Sequence, residues 1–241
     1  MKRLLDTYRR LRVTAKQLLG LEPRVRVSRG AALEYHGSQD CGWSIPVGAV
    51  RADSIIVDVG LGEDISFSTA LIERTGCTVH GFDPTPRAIS HVEGLAPRRF
   101  VLHKLGVAAQ KGRATFHLPN NEQHVSGSLV RAAHTGGRTI DVDLVSLDDV
   151  FQLTGAASID VLKLDIEGAE FDVLLDESFA RHAPRIGVLC IEFHHRWKEY
   201  GPAKAEEAVR HLCALGFDCV WAQTTSNEEF TFVNRGRTSP R

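Results

Sequence analysis

Five short apolar runs recur along this chain, most of them separated by helix-like stretches, and that alternation limits the fold more than any other feature. SIIVDVG (54–60), CTVHGFD (77–83), RRFVLHKL (98–105), IDVLKLD (159–165) and IGVLCIEF (186–193) have the length and composition of strands covered on both faces. Helical patterns follow at 67–73, after Thr85-Pro86, from 167 onward and at 205–215. Strands separated by helices predict an α/β, doubly wound, mostly parallel sheet with helices on both faces. FDCVWAQ (217–223) and EEFTFVN (228–234), joined by a turn at Ser226-Asn227, are too closely linked to be parallel and close the sheet as an antiparallel pair. Between 106 and 145 the pattern breaks into Gly- and His-rich segments read as additional β structure.

At 241 residues the chain fits one such domain with a modest extension. The expected division is a basic amphipathic helix and loop over 1–40 and the α/β domain over 41–241. In the first segment Leu4, Tyr8, Leu11, Ala15 and Leu18 share a helical face, with Arg3, Arg9, Arg10, Arg12 and Lys16 around the rest. That stripe is expected to pack on the chain's own domain; the competing account is peripheral contact with an anionic membrane surface. Charges interrupt the segment throughout, unlike a secretory signal, and no run reaches the ~18 apolar residues of a membrane span. The cysteines Cys41, Cys77, Cys190, Cys213 and Cys219 form no C-x-x-C pair, which fits free thiols in a reducing, cytoplasmic setting. With a net charge of −1, no global field favours nucleic acid as a partner.

The first two strands carry the binding signals. Gly60 and Gly62 follow the first, where a missing Cβ lets the backbone turn and approach a ligand. The third glycine of a dinucleotide fingerprint is Ile65 here, and Glu63 and Asp64 at the same turn would repel a pyrophosphate. Two carboxylates suit an amine or a sulfonium, so the turn points away from NAD and toward S-adenosylmethionine. Asp83 ends the second strand, where a carboxylate accepts from ribose hydroxyls or shapes an Asp-Pro turn. Asp58 orders the loop.

VDVGLGEDISF, GFDPTP, VSLDDVF and above all VLKLDIEGAEFDVL resemble the FkbM-type family of S-adenosylmethionine-dependent methyltransferases, over roughly residues 40–235. The resemblance implies a class I methyltransferase fold, a Rossmann-like seven-stranded sheet with an antiparallel last strand. It also implies O-methylation of a hydroxyl on a small molecule, sugar or secondary metabolite.

The most acidic stretch is IDVLKLDIEGAEFDVL (159–174). Lys163 sits inside an apolar strand and needs a partner, for which Asp58 and Glu192 are candidates. Glu170 and Asp172 fit the first turn of a helix, where each carboxylate contributes about 0.3–1 kcal/mol against the helix dipole. Asp165 lies at the strand lip facing the cofactor and the acceptor, with Glu167 beside it. Glu192 and His194 share a face at the next strand's end. Asp165, Glu167, Glu192 and His194 are therefore the candidates to take the acceptor's proton. His195 is a further candidate base, an acceptor contact or a structural residue. The same four groups would offer magnesium or manganese an oxygen-rich site, but no tight spacing enforces one and no metal is expected. His124, Ser126 and Ser128 in the 116–130 insertion, and Trp43 before the first strand, are candidate acceptor contacts; Trp43 reads equally as a core anchor. The competing functions are an NAD-dependent oxidoreductase and a non-catalytic module that docks through its basic helix.

Overall fold

The structure, a computed structural model, describes residues 2–119 and 135–237. It begins with α1 (Lys2–Leu18) and a hairpin of β1 (Leu33–His36) and β2 (Trp43–Pro46). The alternating part follows as β3 (Ile55–Val59), α2 (Ser66–Thr75), β4 (Thr78–Phe82), α3 (Pro86–Leu95) and β5 (Phe100–His103). Next come β6 (Gly106–Val107), β7 (Gly112–Pro119), β8 (Thr135–Val145) and α4 (Leu147–Thr154). The chain continues through β9 (Ile159–Leu164), α5 (Glu170–Leu175), α6 (Glu177–His182), β10 (Ile186–Glu192), α7 (Gly201–Ala214), β11 (Phe217–Ala222) and β12 (Glu229–Asn234).

The main sheet has seven strands in the order β11-β12-β10-β9-β3-β4-β5. Neighbours from β10 to β5 are parallel, and β12 enters antiparallel between β11 and β10. Strand alternation sorts the side chains into two cores. Val57, Leu162, Leu189 and Phe232 pack on one face, and Ile56, Val161, Val188 and Val233 on the other. Burying each such side chain is worth roughly 1.5–3 kcal/mol, which is why these runs read as continuously apolar. The order reverses between β3 and β9, the switch point beyond whose carboxyl ends such a sheet leaves a crevice.

The described residues of the 106–145 region form a separate three-stranded sheet, β6-β8-β7, in line with the expected extra β structure. It leads into α4, whose N-terminus is a capping box: Ser146 Oγ accepts from the Asp149 amide while the Asp149 carboxylate accepts from the Ser146 amide.

Two local details are new, and one expectation changes. The loop holding Gly37 and Gly42 is the tip of the β1–β2 hairpin, paired from Leu33–Pro46 to His36–Trp43. Thr85 sits at the N-cap of α3, but its hydroxyl donates to Asp83 instead of capping the helix. The apolar stripe of α1 faces away from the body: Leu4, Tyr8, Leu11 and Leu18 are 78%, 62%, 64% and 72% exposed. The helix attaches by its reverse side, through buried Val13 and through Gln17, because the Glu22-Pro23 segment after it is buried in the body and dictates its orientation.

Candidate active site

A cavity of about 360 Å³ opens at the carboxyl ends of β3, β4 and β9. Its floor is the turn after β3. Gly60 adopts φ +82°, and a Cβ there would fall 1.7 Å from the Asp165 carbonyl oxygen, so only glycine lets β3 and β9 approach at the crevice. Gly62 is also left-handed, at φ +53°.

The turn is held from both sides by buried carboxylates. Asp83 Oδ2 accepts from the amides of Leu61 (2.9 Å) and Gly62 (3.2 Å), and its Oδ1 accepts from the amide and hydroxyl of Thr85 (2.8 and 2.6 Å). A carboxylate has about four acceptor positions, and these bonds use them. Asp83 therefore shapes the glycine turn in addition to lining the cavity. Asp58 accepts from Ser68 Oγ at 2.6 Å and lies 3.0 Å from Lys163 Nζ. Lys163 in turn donates to the Gly60 carbonyl at 2.8 Å and lies 3.8 Å from Asp165. Burial alone would neutralise this lysine, but Asp58 and Asp165 keep its pKa above the usual value. The partner expected for it is thus Asp58, and Asp165 joins it in place of a direct contact with Glu192.

The acidic turn divides. Glu63 lines the cavity and also pairs with Arg87 on α3, which offsets its charge there. Asp64 accepts from the Ser66 amide at 2.8 Å; burial would raise its pKa, yet hydrogen bonds from Ser66, Ser38 and Cys41 hold it low. It remains a carboxylate on the cavity wall.

Across the cavity stand Asp165, Glu167 and Glu192. Burial raises the pKa of Asp165 against the pull of Lys163, and burial together with the Asp165 charge pushes Glu192 up to about 9. Glu167 adopts a left-handed φ of +53°, a strained setting for a side-chain-bearing residue and one that recurs at functional sites. Its carboxylate lies 3.2 Å from His194 Nε2.

The organiser of this lip is Glu170, a residue the helix-dipole reading treated as ordinary. Its side chain is fully buried. One oxygen accepts from the His194 amide (2.8 Å) and faces His194 Nδ1 (3.2 Å), and the other accepts from the Gly168 amide (2.8 Å). It thereby ties the turn after β9 to the turn after β10. Asp172 is exposed and keeps the simple helical role. Burial opposes charge on His194, but its hydrogen bonds to Glu167 and Glu170 overcome it and raise its pKa well above the usual value. With both ring nitrogens facing carboxylates, His194 brings positive charge to the cluster. Asp165, Glu167 and His194 each bring one ligating atom within 4.8 Å of the others, the grouping a divalent ion would use.

His195 turns away from the cavity. It is 1% exposed, bonded to Glu22 Oε2 at 2.8 Å and to the Phe193 carbonyl at 3.0 Å, so its role is to fasten the N-terminal segment and not to touch an acceptor. Burial would raise the Glu22 carboxyl, but bonds from His195 and Arg196 bring it down to about 2. Trp43 lines the cavity and is also a core anchor, 2% exposed and edge-on to Trp221 at 6.1 Å. Phe116, Val107 and Leu144 from the smaller sheet close the opposite wall. His124, Ser126 and Ser128 lie outside the described residues. Cys41 also lines the cavity, its thiol pushed up to about 11 by burial and Asp64, which makes it a poor nucleophile.

A sheet ordered in this way, with an antiparallel strand inserted beside its edge and a glycine turn at the switch point, defines a class I methyltransferase fold. The family model described as the methyltransferase FkbM domain matches residues 47–219, and the chain belongs to that family. It is 28% identical over 139 residues to the 2-O-methyltransferase NoeI of Sinorhizobium fredii, covering 52% of this chain and 57% of that one. It is 28% identical over 163 residues to the probable methyltransferase-like protein 24 of Rattus norvegicus, covering 64% and 36%. The chain thus spans about half the length, or less, of these curated relatives. Among solved structures, Aeropyrum pernix fibrillarin in complex with S-adenosyl-L-methionine aligns at 10% identity with a TM-score of 0.39, covering 88% and 85%.

Proposed function

We propose that this chain is an S-adenosylmethionine-dependent methyltransferase that methylates a hydroxyl of a small acceptor such as a sugar or secondary metabolite. One observation carries the reading: a glycine turn that tolerates no Cβ opens onto a cavity walled by Asp64, Asp165, Glu167 and Glu192. That group of half-buried carboxylates fits a ligand bringing positive charge. When bound, S-adenosylmethionine supplies an electrophilic methyl group on a sulfonium. Gly60 and Gly62 would admit the ligand, and Asp64 and Asp165 would face its positive charge. Asp83 keeps the turn in shape beside the ribose.

Glu192 moves the proton. In the cavity without a cation, burial holds a proton on Glu192. Positive charge entering the cavity stabilises the carboxylates and releases that proton. The Glu192 carboxylate is then ready to accept the proton of an acceptor hydroxyl as its oxygen attacks. Loss of the positive charge on transfer raises the Glu192 pKa again and retains the proton there. The name of the relative NoeI, a 2-O-methyltransferase, supports a hydroxyl acceptor.

Calorimetric titration with S-adenosylmethionine and S-adenosylhomocysteine tests the cofactor, with Asp64→Asn and Gly60→Ala as controls. Methyl transfer from labelled cofactor to a panel of hydroxylated metabolites tests the acceptor. Micromolar cofactor binding weakened by both substitutions is expected; tight NADH binding in its place would overturn the reading.

A further inference from the structure

Helix α1 is oriented the reverse of an ordinary surface helix. At about 3.6 residues per turn, Leu4, Tyr8, Leu11 and Leu18 form one stripe, and Val13 and Gln17 lie roughly on the opposite side. Val13 is 6% exposed and Gln17 Nε2 donates to Asn227 Oδ1 and the Pro23 carbonyl, so the polar reverse side makes the attachment while the stripe faces solvent. Leu19 and Leu21, 74% and 58% exposed, carry the apolar surface past the helix end.

Charge selects the partner. The helix holds six Lys and Arg residues and one carboxylate, Asp6, in a chain whose net charge is −1. Arg12 and Lys16 border the stripe on one flank and Arg10 on the other, with Arg9 behind the first. Arg9, Arg10 and Arg12 are exposed, and none forms an ion pair with a described residue. A second copy of the chain meeting this stripe would bring arginine against arginine. A surface that is anionic at the headgroups and apolar just beneath satisfies both features at once.

The attachment is rigid where it matters. Arg24 bonds the carbonyls of Gln17 and Leu18 at the helix end (2.7 and 3.1 Å), and Lys16 reaches Glu22 at 3.3 Å. Glu22 is bound by His195 and Arg196, the residues directly after His194. The helix is therefore clasped to the same strand end that bears the cavity.

We infer that α1 is an interfacial anchor, laying its leucine stripe into an anionic phospholipid surface and holding the cavity close to the headgroups. The test is co-sedimentation of the full chain with extruded vesicles, of phosphatidylcholine alone or with 30% phosphatidylglycerol. Binding to the anionic vesicles is expected, weakening several-fold in 0.5 M salt as the charges are screened. Each arginine near the surface is worth about fivefold, so Arg9→Glu, Arg10→Glu and Arg12→Glu together should weaken binding by at least about 100-fold. Leu11→Asp, at a side chain that faces solvent, should abolish binding without changing the melting temperature; it decides the question even if the triple variant unfolds. No binding to anionic vesicles, equal binding to neutral ones, or a dimer in sedimentation velocity that Leu11→Asp dissolves would overturn the inference. The readout is lipid binding, so its failure is distinct from failure of the methyl-transfer reading.

Discussion

Glu192 is the point where the cavity's electrostatics can be measured as stability. Its pKa is pushed from the ordinary 4.5 to about 9 by burial and by Asp165. A raised carboxylate contributes its stability fully below the unfolded pKa and loses it as pH rises toward the folded value. Between pH 5 and 7 the native cavity therefore loses roughly 1.4 kcal/mol per pH unit, about 2.5 kcal/mol in all once the partial titration near pH 5 is counted. Asp165 is shifted the same way, so the two groups share this cost as a pair. Glu192→Gln removes the ionisation and leaves the shape. For a domain of this size about 2–4 °C accompanies each kcal/mol, so the variant should gain about 5–10 °C over the native chain at pH 7 relative to pH 5. Differential scanning calorimetry at the two pH values measures this directly. A second arm compares ligands: the stabilising advantage of S-adenosylmethionine over its neutral homocysteine counterpart should grow from pH 6 to 8 in the native chain and stay flat in the variant. A melting difference between the two chains that is the same at pH 5 and 7 would refute the reasoning, because it would mean the carboxylate ionises normally in the fold.

Gly60→Ala forces a methyl group onto the Asp165 carbonyl from a left-handed backbone; it should cost at least ~2 kcal/mol in a denaturant titration and remove cofactor binding. Glu170→Ala strands the buried amides of Gly168 and His194, at about 1–3 kcal/mol each, and should return the His194 pKa toward its ordinary value in an NMR titration. Glu22, held down to about 2, stabilises the fold fully above pH 4.5 and loses that contribution as pH falls toward 2. Acid unfolding followed by circular dichroism should therefore be steeper for the native chain than for Glu22→Gln across that window.

The strands were legible because burial on both faces leaves a local mark, a run of β-branched and aliphatic residues that needs no partner to be recognised. Observed strand bounds fall within a residue or two of the expected ones, as in Ile159–Leu164 against 159–165. The glycine turn was legible for a similar reason: left-handed backbone restricts which residue can stand there. The extra sheet was visible only as broken periodicity, and the β1–β2 hairpin, with four residues per strand, was too short to show a period.

The roles of the charged residues were a different matter. Glu63, Asp64, Glu170 and His194 are all polar residues beside turns, and nothing in their spacing says which is paired. The fold neutralises Glu63 with Arg87, buries Glu170 under two turns, and charges His194 between two carboxylates. The same holds for α1, whose period predicts a helix but not which side meets the body. Sequence determined what each segment forms, through steric limits and burial that act within a few residues. Tertiary structure decided which charges meet and which apolar face is left to solvent, because Coulomb and hydrogen-bond energies depend on neighbours far along the chain, 173 positions apart for Glu22 and His195 and 210 for Gln17 and Asn227.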